Sequence, residues 1–505
     1  MINRNKHFFL LLAGTIIFDY FFWKEHFGLN ILLMNVFIII VILLLYPSAI
    51  RSKGAITTIL GSLATAVAIV IHSSLFTIIV HISSLIVMVG FIHVQSLQSV
   101  LYAVPTSLGN YLMLPDRLAS YIKSKRDSSA KMQRFLRLLK ILIIPLVLLT
   151  IFYLMFRSGN LVFADLTNNM FASIGDWLAE VFSHLSFYRI LFILWGAVMV
   201  GGLVYNNGLI TFQQQEAALP EFIVRKRAEP VMSVQVKKLS MGLKNEIRAA
   251  IILMVLINLM LLVVNVIDIR WIWFGFVYTV NFDLRHFVHE GTYMLIASIL
   301  LSMAVMMIYF RKNLNFYPNN NILKYLAYIW IVQNVLLLIS VVIRNYHYIH
   351  YFGLAYKRIG VIIFLVLVLY GLYTLFIKIS KKKSDYYLLR TNSWCLYVVL
   401  IFFSLVSWDT IITNHNLAHP LKNNMETSFL LTLSDKVLPE IDKHAYVLDQ
   451  PLKYNSYTNF GSNTFHDVYE SRVIKFMERK ENESGLSWNW AEDEAYRYFK
   501  NKHKE

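Results

Sequence analysis

The sequence predicts an all-α fold: a polytopic membrane helix bundle of about eleven spans with a small helical extracytoplasmic C-terminal domain. Three observations carry that expectation. Of 505 residues, 57% are hydrophobic and only 15% charged, with a mean hydropathy of +0.54; a soluble chain carries about a quarter charged residues. Runs such as Ile31–Tyr46, Leu139–Phe156 and Val361–Ile377 approach or reach the roughly 17–25 residues that cross a bilayer. Lys and Arg gather in every second connection between such runs.

Taken in order, spans are expected near Phe8–Trp23, Leu29–Tyr46, Ala55–Ile71, Ser74–His93, Lys140–Phe156 and Tyr188–Ile210. Five more follow near Arg248–Ile267, Gly291–Phe310, Leu323–Val342, Ile359–Ile379 and Ser393–Ile412. The first has a basic start (Arg4, Lys6) but no small-x-small site after it, so an uncleaved anchor is expected. The chain divides into a four-span segment (1–95), a basic cytoplasmic or interfacial loop (96–139), a seven-span core (140–412) and the C-terminal domain (413–505).

Charge sets the sidedness. Before residue 413, twenty-seven Lys and Arg fall in one alternate set of connections and eight in the other. The basic set faces the cytoplasm by the positive-inside rule, which puts the N-terminus inside and, after an odd number of spans, residues 413–505 outside. The net charge of +17 is then a topological signal facing anionic lipid. It is scattered over six loops rather than one face, so nucleic acid is not an expected partner. Single Cys395 excludes an intramolecular disulfide.

Three connections and the tail have patterns of their own. Between Arg117 and Leu139, apolar residues alternate with Lys and Arg, which fits a basic amphipathic surface helix or simply a charged loop. Phe163, Leu166, Met170, Ile174, Trp177, Val181 and Leu185 form a helical stripe on the outer side. Trp271, Trp273, Phe274, Phe276 and Tyr278 read as an interfacial aromatic belt. In the tail, Phe465, Tyr469, Val473 and Phe476 share a helical face, and Asn489 with Glu492 resembles a capping box. A short helix near Val437-Leu438 is expected to stop at Pro439.

Several segments resemble a bacterial family of polytopic membrane proteins catalogued as a domain of unknown function, the 4153/4173 group. They are Val266–Trp271, Phe287–Gly291, Trp330–Asn334, Tyr351–Arg358, Leu433-Ser434-Asp435 with Leu438-Pro439, and Trp488–Ala491. The likeness is clearest from about Arg248 onward. Ala355 stands where the family pattern has Thr, Trp408-Asp409 replaces a Pro-Asp pair, and Gly485–Ser487 lacks an Arg. The resemblance implies a bacterial inner-membrane location and supplies no activity.

Candidate chemistry is confined to polar residues at the outer face and inside spans. Asp283, His286, His289 and Glu290 form one cluster, with His286 and His289 on one helical face as metal ligands would be. Arg344, His347, His350 and Tyr351 form a second beyond the ninth span, and Gln333 and Asn334 lie within it. By topology the two outer clusters share one surface. The competing reading is that His, Tyr and Trp are ordinary interfacial residues and that Gln and Asn bond neighbouring helices. Asp19 in the first span needs a partner or a place at the boundary.

No Gly-x-x-x-x-Gly-Lys-Ser/Thr, His-Glu-x-x-His or Gly-x-Ser-x-Gly pattern occurs, so no catalytic residue, metal or cofactor is assigned. The expected role is a non-catalytic envelope anchor or sensor presenting its C-terminal domain to a periplasmic protein. The alternatives are a secondary transporter or flippase, and a membrane-embedded enzyme acting on lipid or envelope glycan.

Overall fold

A computed structural model describes residues 4–125, 187–206, 210–225, 243–275, 284–310, 315–317, 320–418, 427–444 and 464–502, with isolated positions between 142 and 170. Among these the chain is helical, apart from an isolated antiparallel bridge between Phe222 and Lys383. The stretch 126–139 of the basic loop, most of the expected span Lys140–Phe156, most of the Phe163–Leu185 stripe, and Phe276 and Tyr278 of the aromatic belt lie outside the described residues.

In chain order the helices are α1 (Arg4–Phe22), α2 (Leu29–Leu45), α3 (Lys53–His72), α4 (Leu75–His93), α5 (Val100–Lys125), α6 (Phe187–Val204) and α7 (Ile210–Ala217). Then come α8 (Leu243–Asp268), α9 (Leu284–Tyr309), α10 (Asn321–Phe352), α11 (Tyr356–Lys381), α12 (Asp385–Ser404) and α13 (Trp408–Ala418). The tail adds α14 (Leu438–Asp442), α15 (Phe465–Asn482) and α16 (Trp490–Lys502). Among the described residues six are long and apolar enough to cross a membrane: α3, α4, α8 with the turn that continues it, α10, α11 and α12. Helices α2 and α6 and the 295–309 part of α9 are shorter and apolar. Many of these helices leave large apolar side chains uncovered. On α8, Ile252, Leu256, Leu259, Val263 and Val266 are all exposed, a surface that water would not tolerate and lipid would cover.

The chain forms two compact units. The first comprises Met1–Gln98, Tyr102–Glu216 and Asn482–Trp490. Its helices α3 and α4 pack through small and hydroxyl side chains, with Thr58, Ser62, Thr65 and Ser84 buried. Such residues let backbones approach and bond across the interface. Thr65 Oγ1 lies 3.0 Å from His81 Nδ1. Asp19 has the partner its position requires: Arg189 donates to it at 2.8 Å. Ser52 and Ser74 cap the N-termini of α3 and α4 by accepting from Ala55 N and Thr77 N.

The second unit comprises Ser99–Leu101, Ala217–Glu481 and Ala491–Glu505. One core joins α8 to α11 around Trp330, Met254, Leu337, Val341 and Leu372. A second core joins Ile359 of α11 and Ile412 of α13 to Leu438, Phe465, Phe476 and Phe499. The tail helices therefore bury their apolar faces against the ends of α11 and α13 as well as against each other.

Three local expectations change. The last span was expected over Ser393–Ile412, but its helix starts at Asp385, where Ser384 accepts from Tyr387 N, and it ends at Ser404. Trp408–Ala418 is a separate helix. Helix α10 does not stop near Val342; its 32 residues extend about 48 Å against a hydrocarbon core of about 30 Å. The Arg344–Tyr351 cluster is thus helical. Pro439 begins a helix rather than stopping one, because at the first turn its missing N–H has no partner to lose.

Candidate functional site

The sequence-selected polar residues separate into three groups. Asp283 lies outside the described residues. His286, His289 and Glu290 fall in the first two turns of α9, and their side chains lie outside the described set. Among the described residues no group of three His, Cys, Asp or Glu is arranged to hold a metal ion.

Gln333 and Asn334 sit at mid-α10 and are buried. Gln333 Nε2 donates to Asn258 Oδ1 at 2.9 Å, and Asn258 Nδ2 donates to Met254 O and Leu326 O. Asn265 Nδ2, seven residues further along α8, donates to Gln333 O at 3.1 Å. Asn334 Nδ2 bonds back to Trp330 O of its own helix. These amides form a ladder between α8 and α10, and ten residues of helix, about 15 Å, separate them from Arg344.

Arg344 belongs to a different arrangement. Its guanidinium donates to Asp268 Oδ1 at 2.6 Å, and both side chains are almost fully buried. Asp268 ends the α-helical part of α8, and a π-helical turn, Ile269–Trp273, follows. That turn carries Trp273, whose Nε1 donates to Ser340 Oγ at 2.9 Å, and Ile272, whose backbone bonds His347. Tyr346 stacks on His350, which meets the Tyr351 ring edge-on. Arg344 and His347 therefore bind the end of α8 to α10, while His350 and Tyr351 form an aromatic group further along.

The next turn leads to residues the sequence reading did not single out as a site. Gly353 closes α10 at φ +77° and ψ −175°, a region that is essentially glycine's alone. A Cβ there would stand 2.5 Å from Asn416 Oδ1. The close approach lets the Asn416 amide clasp the turn, accepting from Leu354 N at 2.6 Å and donating to Leu354 O at 2.9 Å. Arg358 packs over the Tyr348 ring at 4.1 Å and donates to Phe352 O and Gly353 O.

Beside this turn lies a buried carboxylate. Asp409 of α13 accepts from Tyr356 Oη at 2.5 Å, from Ser434 Oγ at 2.6 Å and from Lys436 Nζ at 3.0 Å. Burial works against its charge, but Lys436 and the Ser434 and Tyr356 hydroxyls outweigh that and hold the carboxyl below its usual range. Two more carboxylates repeat the pattern. Asp435 accepts from Arg472 and Arg479, and Arg472 also donates to Leu431 O and Leu433 O. Asp442 accepts from Tyr469 Oη at 3.0 Å, Tyr498 Oη at 2.7 Å and Lys502 Nζ at 2.6 Å.

Each of these carboxylates accepts from donors on another element and so holds elements together. Asp268, Tyr356, Ser434 and Asp435 all stand in the segments that carry the family resemblance, and Asp409 belongs to Trp408-Asp409, which stands where the family pattern has Pro-Asp. That resemblance was the signal available in the sequence; it marked the segments without showing that two of them meet around one carboxylate.

Comparison with known proteins agrees on the family and adds no activity. No curated protein matches the chain, and no solved structure does. The match to the family reaches back to residue 10, well before Arg248, and ends before the Trp488–Ala491 element. The family described as "Domain of unknown function (DUF4153)" covers residues 10–444, and the chain belongs to it.

Proposed function

We propose that this chain is a bacterial inner-membrane protein of eleven spans that works as a non-catalytic envelope anchor or sensor. Its N-terminus is cytoplasmic, and the C-terminal helices form a rigid platform outside, presented to a periplasmic protein. The eleventh span is α12, and α13 lies beyond it.

The observation that carries the reading is the Asp409 junction. Tyr356 at the start of α11 and Ser434 and Lys436 of the tail share one buried carboxylate, so the tail helices are fixed to the bundle rather than tethered by a loop. Sidedness draws support from contacts between connections. In the first unit, Ser73 Oγ donates to Phe27 O and Ser487 Oγ donates to Glu25, joining three connections assigned outside. Gln95 Nε2 donates to Ser48 Oγ, and Asn206 Nδ2 to His93 O, joining three assigned inside. The second unit keeps the same parity: Glu221 meets Lys383 inside. The amide ladder of Asn258, Asn265 and Gln333 favours helix packing over a transport pathway.

Labelling tests this directly. In a Cys395→Ser background, Glu470→Cys on α15 should react with a membrane-impermeant maleimide in intact cells. Lys381→Cys should react only after permeabilisation. The opposite pattern would remove the platform from the periplasm and end the proposal. A photocrosslinker at Glu470 in the full-length protein should then capture one periplasmic protein reproducibly.

A further inference from the structure

An open groove of about 420 Å³ runs between α11 and α12, lined by Tyr370, Arg390, Thr391, Trp394, Cys395, Val398 and Val399. Its chemistry is graded along its length. Arg390 and Thr391 stand at one end, about 8 Å into α12 from Asp385, and Val398 and Val399 lie about 14 Å further on. Trp394 and Tyr370 sit between them, side chains with an apolar body and a polar tip. A polar, cationic end that passes through aromatic rings into an aliphatic trough follows the profile of a phospholipid from headgroup to acyl chain.

Basic side chains predominate at the polar end. Lys378, Lys381, Lys382, Lys383 and Arg390 occupy this end of the α11–α12 hairpin, and among the described residues the carboxylates paired with them are Asp385 and Glu221. The segment 221–223 is pinned there by its bridge to Lys383, with Ile223 N donating to Lys382 O and Ser384 N to Glu221 O. Glu221 Oε1 receives Lys383 Nζ at 2.7 Å, while Arg390 reaches the same oxygen at only 3.5 Å. An incoming phosphate can therefore take the guanidinium without leaving Glu221 unpaired.

We propose that this groove binds one anionic phospholipid, its phosphate held by Arg390 and Thr391 and an acyl chain laid along Trp394, Val398 and Val399. The site rests on α11 and α12 spanning the membrane and not on the role of the C-terminal platform, so either reading can fail alone. The aliphatic trough commits the ligand to a lipid; a free anion would use only the polar end. Selectivity comes from the lipid's net negative charge, uncancelled by a headgroup cation, meeting a cationic pocket at the membrane surface.

The test uses the full-length protein in neutral detergent, with retained lipid counted by native mass spectrometry. The probes are dioleoyl phosphatidylglycerol, dioleoyl phosphatidylcholine and inorganic phosphate. The wild type should retain the anionic lipid about fivefold over the zwitterionic one, the scale of one basic residue at a membrane surface. Arg390→Gln should remove that preference, Val399→Phe should lower retention of both lipids, and Glu221→Gln should raise retention of phosphatidylglycerol. Because Cys395 is the single thiol and lines the groove, phosphatidylglycerol should also slow its alkylation. Equal retention of the two lipids by the wild type would overturn the proposal, as would displacement of phosphatidylglycerol by inorganic phosphate. If Arg390→Gln does not fold, Glu221→Gln decides: no gain in retention refutes the site.

Discussion

Asp268 and Arg344 stand seventy-six residues apart in sequence and 2.6 Å apart in space, with side chains only 5% and 9% exposed. The pair joins the end of α8 to α10 where the α-helical winding of α8 gives way to a π-helical turn. A buried charge without its partner is far costlier than the pair itself. Arg344→Ala should therefore lower stability by about 3–5 kcal/mol. Arg344→Lys should recover part of that, since an ammonium supplies the charge without the planar fork. The thermal midpoint in detergent is the readout, and equal midpoints for Arg344→Ala and wild type would show that the pair does not hold α8.

Asp409→Ala should leave the Lys436 ammonium buried without its carboxylate, a loss on the order of 3–5 kcal/mol. Its effect is local. Hydrogen exchange should quicken in α15 and α16 while the α8–α11 core keeps its protection. Replacing both partners, as Asp409→Leu with Lys436→Met, should recover much of the loss, because the apolar pair leaves no stranded charge. Uniform loss of protection in the single mutant would mean that the tail is not held through this junction.

The tail should have an acid limb and an alkaline limb. At Asp442, burial opposes ionisation but Lys502, Tyr498 and Tyr469 prevail, so its pKa is lowered on folding. A lowered carboxyl pKa contributes stability above its unfolded value, near 4, and loses it as pH falls further. Tyr498 is pushed up to about 12, by burial first and by Asp442 next. A raised phenol pKa contributes stability below about pH 10 and loses it as pH climbs toward the folded value. Melting of α15 and α16 followed across pH should show both limbs, and Tyr498→Phe should shrink the alkaline one, the remainder coming from Tyr469, which burial and Asp442 also raise.

Gly353→Ala should cost about 1–3 kcal/mol, the range for a residue forced into a glycine-only region. The added Cβ would also collide with Asn416 Oδ1. Asn416→Ala relieves the collision but not the strained φ, so the double variant should remain less stable than Asn416→Ala alone. Additivity of the two single losses, measured by thermal denaturation, would argue against direct contact.

Asn258→Ala and Gln333→Ala should each destabilise the bundle modestly, with a double-mutant coupling near 0.6 kcal/mol, the average found for membrane hydrogen bonds. Zero coupling would mean that the 2.9 Å contact contributes nothing beyond packing.

Helices α3, α4, α8, α10 and α11 were legible because crossing lipid demands an unbroken apolar run, and such runs stand out without knowledge of any neighbour. Helix α12 was misjudged because its first turns, Asp385 to Ser393, are polar, while hydropathy continues past Ser404 where the helix does not. The clusters were harder. Which carboxylate meets which cation depends on how helices dock, and nothing in Asp268 or Asp409 alone names Arg344 or Lys436. His286 and His289 carried a recognisable spacing, whereas Asp409 carries none. Its function as a hub comes from three donors on two other elements.

The hydrogen bonds between the α1–α2 turn and residues 484–488 carry a consequence for biogenesis. His26 N donates to Ser487 Oγ, Leu29 N donates to Trp488 O, and Gly28 lies so close to the Ser487 and Trp488 backbone that a Cβ could not fit. A ribosome completes the first helical hairpin more than four hundred residues before it releases the segment that seals it. Throughout that interval the turn lacks the partners that 487–488 supply to His26 N and Leu29 N in the finished fold.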